Sequence, residues 1–227
     1  MKISVFSDVH GNLAALEAVL SDIRKRSVDY IFCAGDLVGC GPFPNEVVQL
    51  ISDHNIPCLM GNYDDAVAFD RESSGLDERS VHWTKAHISE ECRKILSSLP
   101  QEIRFEVNEK RLLLVHGSPA KLDESLGKDA GEDYLQGILN QEEIDLLICG
   151  HTHVPFLKKL DKGWVVNAGS IGKPKHGKLS AVYALINITE EVSINFVDVH
   201  YPVEVTAYEI EKSELPKEYA YQLRTGK

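Results

Sequence analysis

Short apolar runs that stop abruptly at a glycine or a charged residue set the pattern of this chain. Lys2-Ile-Ser-Val-Phe6 predicts a buried strand that opens at once into Asp8-Val-His10-Gly-Asn12. Leu13, Leu16, Val19, Leu20 and Ile23 then recur at helical spacing, which predicts an amphipathic helix over 13–26 with Asn12 as its N-cap. Tyr30-Ile-Phe-Cys-Ala34 predicts a second strand, ending in Gly35-Asp36, and a strand, helix, strand series is a parallel crossover unit. The series repeats with a helix over 44–53 and a strand over 56–60 that ends in Gly61-Asn62-Tyr63-Asp64.

The second half continues the pattern. Residues 65–99 read as helical, strongest over 78–96, with a break at Ser73-Ser-Gly75. Residues 103–107 and 110–115 read as a hairpin turned at Asn108-Glu109, whose second strand ends at His116-Gly117. A helix over 129–143 and a buried strand over 144–149 lead to Gly150-His151-Thr-His153. Four further strands, at 156–160, 164–168, 180–188 and 192–199, are expected to form an antiparallel sheet. The tail from 203 to 224 has weak helical character interrupted at Pro216. No linker separates domains, so one domain over 1–227 is expected, with 200–227 as an extension packed on it.

The polar residues are placed where the apolar runs end, and in open parallel sheets ligands bind at the carboxyl ends of strands. Collected from those ends are Asp8, His10, Asp36, Asn62, His116, His151 and His153. Residues two apart in an extended chain point the same way, so Asp8 and His10 can reach one point. Each residue alone has an ordinary explanation: Asn62 as a turn residue, Asp36 as a helix cap, His116 as a satisfied histidine. Together they offer two carboxylates, an amide oxygen and four imidazoles, too many for one ion. Two divalent ions sharing a carboxylate would use them all. Mixed oxygen and nitrogen donors favour Mn, Fe, Co, Ni or Zn over Mg or Ca, and the absence of thiolate argues against a structural zinc site. His54, His82, His87 and His200 fall outside this pattern and read as structural.

Composition narrows the classes. Thirty-five acids against 24 bases give a net charge of -11, which opposes a general nucleic-acid or anionic-membrane surface. No run approaches a membrane span and the N-terminus is interrupted at Asp8, so the chain reads as cytoplasmic. Cys33, Cys58 and Cys149 lie in apolar runs and read as core, while Cys40 in a Gly-rich loop has no assigned role.

Asp8-Val-His10, Gly35-Asp36, Gly61-Asn62, His116-Gly117 and Gly150-His151-Thr-His153, in this order and each after a strand, resemble the calcineurin-like metallophosphoesterase superfamily. The resemblance spans about residues 1–175, with further similarity in the turn Asn167-Ala-Gly-Ser-Ile-Gly172, and within the superfamily is greatest to small bacterial and archaeal phosphoesterases. It implies an α/β fold, a four-layer α-β-β-α sandwich of two mixed β-sheets flanked by helices. It also implies that Asp8, His10, Asp36 and His153 hold one metal and Asp36, Asn62, His116 and His151 the other. The implied activity is hydrolysis of a small phosphodiester or nucleotide by a metal-bridging hydroxide; the alternatives are a phosphomonoesterase of the same fold or a non-catalytic scaffold of the same fold that binds partner proteins. Homo-oligomerisation is left open.

Two departures bear on specificity. Many members carry Gly-Asn-His-Asp in the third motif, where the His protonates the leaving oxygen and the Asp orients it. This chain carries Tyr63 and Asp64, so Tyr63 either donates the proton or packs over the site. Relatives lacking that His look like phosphodiesterases, which favours diesters over monoesters here. Protein phosphatases of the superfamily place an Arg shortly after the bridging Asp. Asp36-Leu-Val-Gly-Cys-Gly-Pro42 has none. Lys121, Lys173, Lys175 and His176 lie in or near the loops and could contact a phosphate.

Overall fold

The computed structural model describes residues 1–72 and 75–226. Two mixed sheets form its centre. The first contains β1 (Lys2–Phe6), β2 (Tyr30–Cys33), β8 (Ala181–Ile188) and β9 (Val192–Val199), in the order β2-β1-β8-β9. Only the β1–β2 pair is parallel. The second contains β3 (Glu102–Val107), β4 (Lys110–Val115), β5 (Leu146–Cys149), β6 (Phe156–Leu160) and β7 (Gly163–Asn167), in the order β3-β4-β5-β7-β6. Here β4, β5 and β7 run parallel, with β3 and β6 antiparallel at the edges.

Strand alternation divides the apolar residues into three layers of core. Successive side chains of a strand face opposite ways, so Ile3 and Val5 meet Leu112, Leu114, Leu146, Ile148 and Val166 between the sheets. Phe6, Cys33 and Tyr183 face outward onto α1 (Leu13–Arg24) and α2 (Pro44–Asp53). Leu113, Val115, Leu147 and Cys149 face the other way onto Leu135 and Leu139 of α6 (Glu132–Gln141). Helices, sheet, sheet, helix is the four-layer α-β-β-α sandwich.

Three sequence expectations change. Residues 56–60 do not form a full strand: they add one parallel bridge, Cys33 with Cys58, beside β2. Pro57 has no N–H to give a ladder and contributes its carbonyl to the Cys33 amide, at 3.0 Å. The four late strands do not share a sheet, because the turn after β7 carries the chain from one sheet to the other. The helical stretch over 65–99 is three helices, α3 (Asn62–Ala68), α4 (Glu78–His87) and α5 (Glu90–Ser97). Ser89 caps the last through the Cys92 amide. Ser73 and Ser74, where the sequence suggests a break, lie outside the described residues.

Two C-terminal helices, α7 (Val203–Lys212) and α8 (Glu218–Thr225), pack against Cys40, Tyr63 and Trp83 through Ala207, Ile210, Tyr219 and Leu223. The tail therefore leans on the loops that leave the parallel strands. Thr206 donates to the Asn12 side chain at 2.7 Å, and that side chain caps α1 as expected.

Candidate metal centre

All the polar loops leave the sheets at one end, where β1 and β2 of one sheet and β4, β5 and β7 of the other finish. The chain turns there more sharply than a strand end requires. Asp8, His10, Asp36, His151 and His153 all have left-handed backbones, with φ of 55°, 48°, 54°, 64° and 63°. For non-glycine residues that conformation costs on the order of 1 kcal/mol each, and such strain persists where surrounding structure imposes it. Backbone bonds supply the constraint: Asp8 N to Gly35 O at 3.0 Å, His10 N to Asp36 O at 2.9 Å, Gly172 N to Asp8 O at 2.9 Å. Asp8 and His10 converge because their loop is left-handed, and not because an extended strand continues through them.

The histidines show which ring atoms are available. His10 Nδ1 lies 3.2 Å from Val38 O, His116 Nδ1 2.7 Å from Ala34 O and His153 Nδ1 2.6 Å from Lys173 O. A carbonyl can only accept, so each Nδ1 carries a proton and each ring, when neutral, presents a bare lone pair at Nε2. His10 Nε2 and His153 Nε2 then face each other at 3.1 Å with no proton between them. Asp8 Oδ1 lies 3.3 Å from His153 Nε2 and 3.8 Å from His10 Nε2, and it is buried without a hydrogen-bond partner. Three lone pairs aimed at one point fit a cation there.

A second convergence adjoins the first. Asp36 Oδ2 lies 3.7 Å from His10 Nε2 and 3.4 Å from His116 Nε2, while Oδ1 accepts the Tyr63 amide at 2.8 Å. Asn62 Oδ1 lies 2.8 Å from His116 Nε2 and 3.1 Å from His151 Nδ1. Asp8, His10 and His153 form one compact donor group and Asp8, Asp36 and His116 another. All of these but Asn62 and His151 are buried, and those two are half-buried.

Burial and crowding set the charges of these groups. Burial raises Asp8 to about 7. Burial also disfavours charge at Asp36, but His116 outweighs it and holds that carboxyl at about 2. His116 is itself opposed by burial, yet Asp36 and Asp8 raise it to about 10. Burial lowers His10 to about 3 and pushes His153 well down. Ligation by these groups would need an ionised Asp8 and a neutral His116, so a metal held there would displace their protons and its affinity would rise with pH. We expect log K to climb by about one per pH unit between 7 and 10, and by about two just below 7. Calorimetry in buffers of different ionisation enthalpy checks this through the protons released.

The remaining sequence candidates are placed differently. Asp64 is fully buried and accepts the amides of Leu37 at 2.9 Å, Val38 at 3.2 Å and Gly61 at 3.0 Å. It ties the Asp36 loop to the Asn62 loop. The Tyr63 ring stands edge-on to His10, with centroids 5.1 Å apart. Its hydroxyl accepts from the Asp77 amide at 3.4 Å and lies 3.9 Å from Cys40 Sγ. Burial makes that phenol a weaker acid than usual. His87 stacks on Trp83 and His54 meets Arg24, both away from the centre.

Sequence reasoning missed Ser170 and Asn167 as supports. Ser170 Oγ donates to Asp8 O at 2.8 Å, and Asn167 Nδ2 donates to Thr152 Oγ1 at 3.1 Å and to Gly150 O. The orienting carbonyls of Ala34, Val38 and Lys173 carry no sequence signal, since every residue has one.

The Calcineurin-like phosphoesterase superfamily domain matches residues 1–191. The chain belongs to that superfamily. It is 33% identical to the uncharacterized protein MJ0912 of Methanocaldococcus jannaschii, over 99% of this chain and 98% of that protein. It is 26% identical to phosphodiesterase YfcE of Escherichia coli, over 82% of this chain and 88% of that one. The crystal structure of a metallophosphoesterase from Sphaerobacter thermophilus superposes with a TM-score of 0.83 at 30% identity, covering 100% of this chain and 99% of that chain. The superfamily carries divalent metal ions, and the donor groups described above fit them. This member is a phosphoesterase of the small bacterial and archaeal kind. Among the described residues no helix is long and apolar enough to cross a membrane.

Proposed function

We propose that the protein is a dinuclear metal-dependent phosphodiesterase acting on a small phosphodiester or nucleotide. One observation carries the reading. Asp36 has one oxygen spent on the Tyr63 amide and the other between His10 and His116, at 3.7 and 3.4 Å, as a bridging carboxylate requires. Asp8, His10, Asp36 and His153 would hold one ion, and Asp36, Asn62, His116 and His151 the other. Manganese is the first ion to test, with Fe, Co, Ni and Zn matching the same donors. When bound, two such ions lower the pKa of a shared water and neutralise charge on the phosphoryl oxygens.

The chain's own residues arrange the rest. The carbonyls on His10, His116 and His153 hold the rings in one tautomer, so no reorganisation is needed at the moment of reaction. Asp64 acts as a positioning residue that keeps the Asp36 and Asn62 loops in register. Tyr63 closes one side of the site by packing on His10. A weak phenol is a poor proton donor for a demanding leaving group, which supports diesters with good leaving groups over monoesters. The name of the YfcE relative supports the same preference. Five free, buried cysteines agree with a reducing, cytoplasmic setting.

The test compares bis-p-nitrophenyl phosphate with p-nitrophenyl phosphate under saturating Mn. The diester is expected to be turned over faster, and a clear excess of monoesterase activity would overturn the preference. Tyr63→Phe is expected to keep kcat within about threefold, whereas a loss of about a hundredfold would identify the hydroxyl as a general acid.

A further inference from the structure

Lys173 and Lys175 stand in the turn that follows β7, immediately after Gly172 has bonded to Asp8 O. The Lys173 carbonyl accepts from His153 Nδ1, so this main chain is fixed against the centre. Its ammonium lies 3.4 Å from Cys40 Sγ and 4.3 Å from the centroid of the Tyr219 ring. A thiol is a weak acceptor and a ring face attracts a cation without satisfying its donors. Among the described residues neither Lys173 nor Lys175 has a carboxylate partner, although Lys178 in the same turn pairs with Asp198 at 2.7 Å. In a chain with 35 acids and 24 bases, a Lys173 ammonium met by a thiol and a ring face, with Lys175 two residues further along the same turn, marks a place for an outside anion.

Although Lys175 is an exposed residue, desolvation of its ammonium, and then Lys173, lower it. A diester monoanion placed on two divalent ions is already neutralised. Two further cations suit a second anionic group.

We propose that Lys173 and Lys175 form a subsite for a second, non-reacting phosphate, so that the preferred substrate is a phosphodiester bearing a further phosphate. Tyr219 is its positioning residue. It braces Lys173 by its ring and is anchored by its hydroxyl, which donates to Asp77 Oδ2 at 2.6 Å. Tyr219 lies in α8, beyond the matched domain that ends at residue 191, so the tail contributes to selectivity. The substrate class rests on the phosphodiesterase reading; the phosphate subsite itself does not.

Two measurements separate them. In the first, the Mn-loaded protein hydrolyses thymidine 5′-(p-nitrophenyl phosphate) and the same ester phosphorylated at the 3′ oxygen. The phosphorylated ester is expected to have a KM lower by about tenfold, the scale of one charge-assisted contact. Lys173→Gln/Lys175→Gln should abolish that ratio, Lys173→Arg should keep more of it than Lys173→Gln does, and Tyr219→Leu should raise KM for the phosphorylated ester more than for the unphosphorylated one. Lys178→Gln should leave the ratio intact. In the second, calorimetry compares inorganic pyrophosphate with inorganic phosphate, without turnover. The ratio of their affinities is expected to fall about tenfold in the double variant. A ratio unchanged within about twofold would overturn the subsite even if diesters are hydrolysed. A wild-type protein that cleaves neither ester would defeat the phosphodiesterase reading, and the pyrophosphate ratio would still decide the subsite.

Discussion

Asp36→Ala is expected to lower diesterase kcat/KM on the order of a thousandfold or more and to reduce bound metal below that of the wild type. The reason is the unequal use of its two oxygens. Oδ1 anchors the Tyr63 amide at 2.8 Å, and Oδ2 stands between His10 and His116. Alanine removes the carboxylate that the proposed centre would share between its two metal positions and leaves the Tyr63 amide unpaired. His116 would also lose the neighbour that contributes most to raising its pKa. Turnover of bis-p-nitrophenyl phosphate and element-resolved metal content check the expectation together. Full activity with full metal content would show that the centre is not assembled around Asp36.

The second large effect is expected on stability. A Cβ at Gly172 would overlap the Val9 carbonyl oxygen and crowd that of Asp8, both main-chain atoms that cannot swing away. The Gly172 amide bonds Asp8 O, and its carbonyl accepts from Asn12 Nδ2 at 2.9 Å. Displacing this turn therefore disturbs β1, the α1 cap and the Lys173 carbonyl that orients His153. Gly172→Ala is expected to cost about 3 kcal/mol or more, a melting decrease of about 10 °C for a chain of this size. Gly137→Ala, inside α6 with open space around its Cβ, is expected to be stabilising by up to about 1 kcal/mol. Denaturant unfolding of the two variants side by side checks both. A Gly172→Ala protein as stable as the wild type would mean that the loop has slack.

Much of the centre was legible because it is made of unusual side chains at strand ends. Asp8, His10, Asp36, Asn62, His116, His151 and His153 were all named from residue type and order, and the structure brings them to one place. The reason first offered for Asp8 and His10 was different from the one that operates, since strand periodicity does not report left-handed loops. The strand expected over 56–60 is a single bridge, because Pro57 removes a donor that apolar character does not count. The helix over 65–99 divides at Ser89, where a local cap competes with continued periodicity. The chemistry of Tyr63 alone allows two roles, proton donor or packing residue. Its hydroxyl direction, toward Asp77 and Cys40, required the packing of α4.

What the sequence determined by itself is local and chemical: where apolar runs end, which donors stand there, and which ions those donors suit. Alternation within each strand also assigns residues to opposite faces, and that is enough to require layers. The tertiary structure decided which strands share a sheet, which carbonyls fix each imidazole, and that a tyrosine from the last helix braces a lysine beside the first strand's loop. Those contacts join residues far apart in the chain. They follow from close packing and from the need to pair every buried polar group, and neither leaves a periodic trace in the sequence.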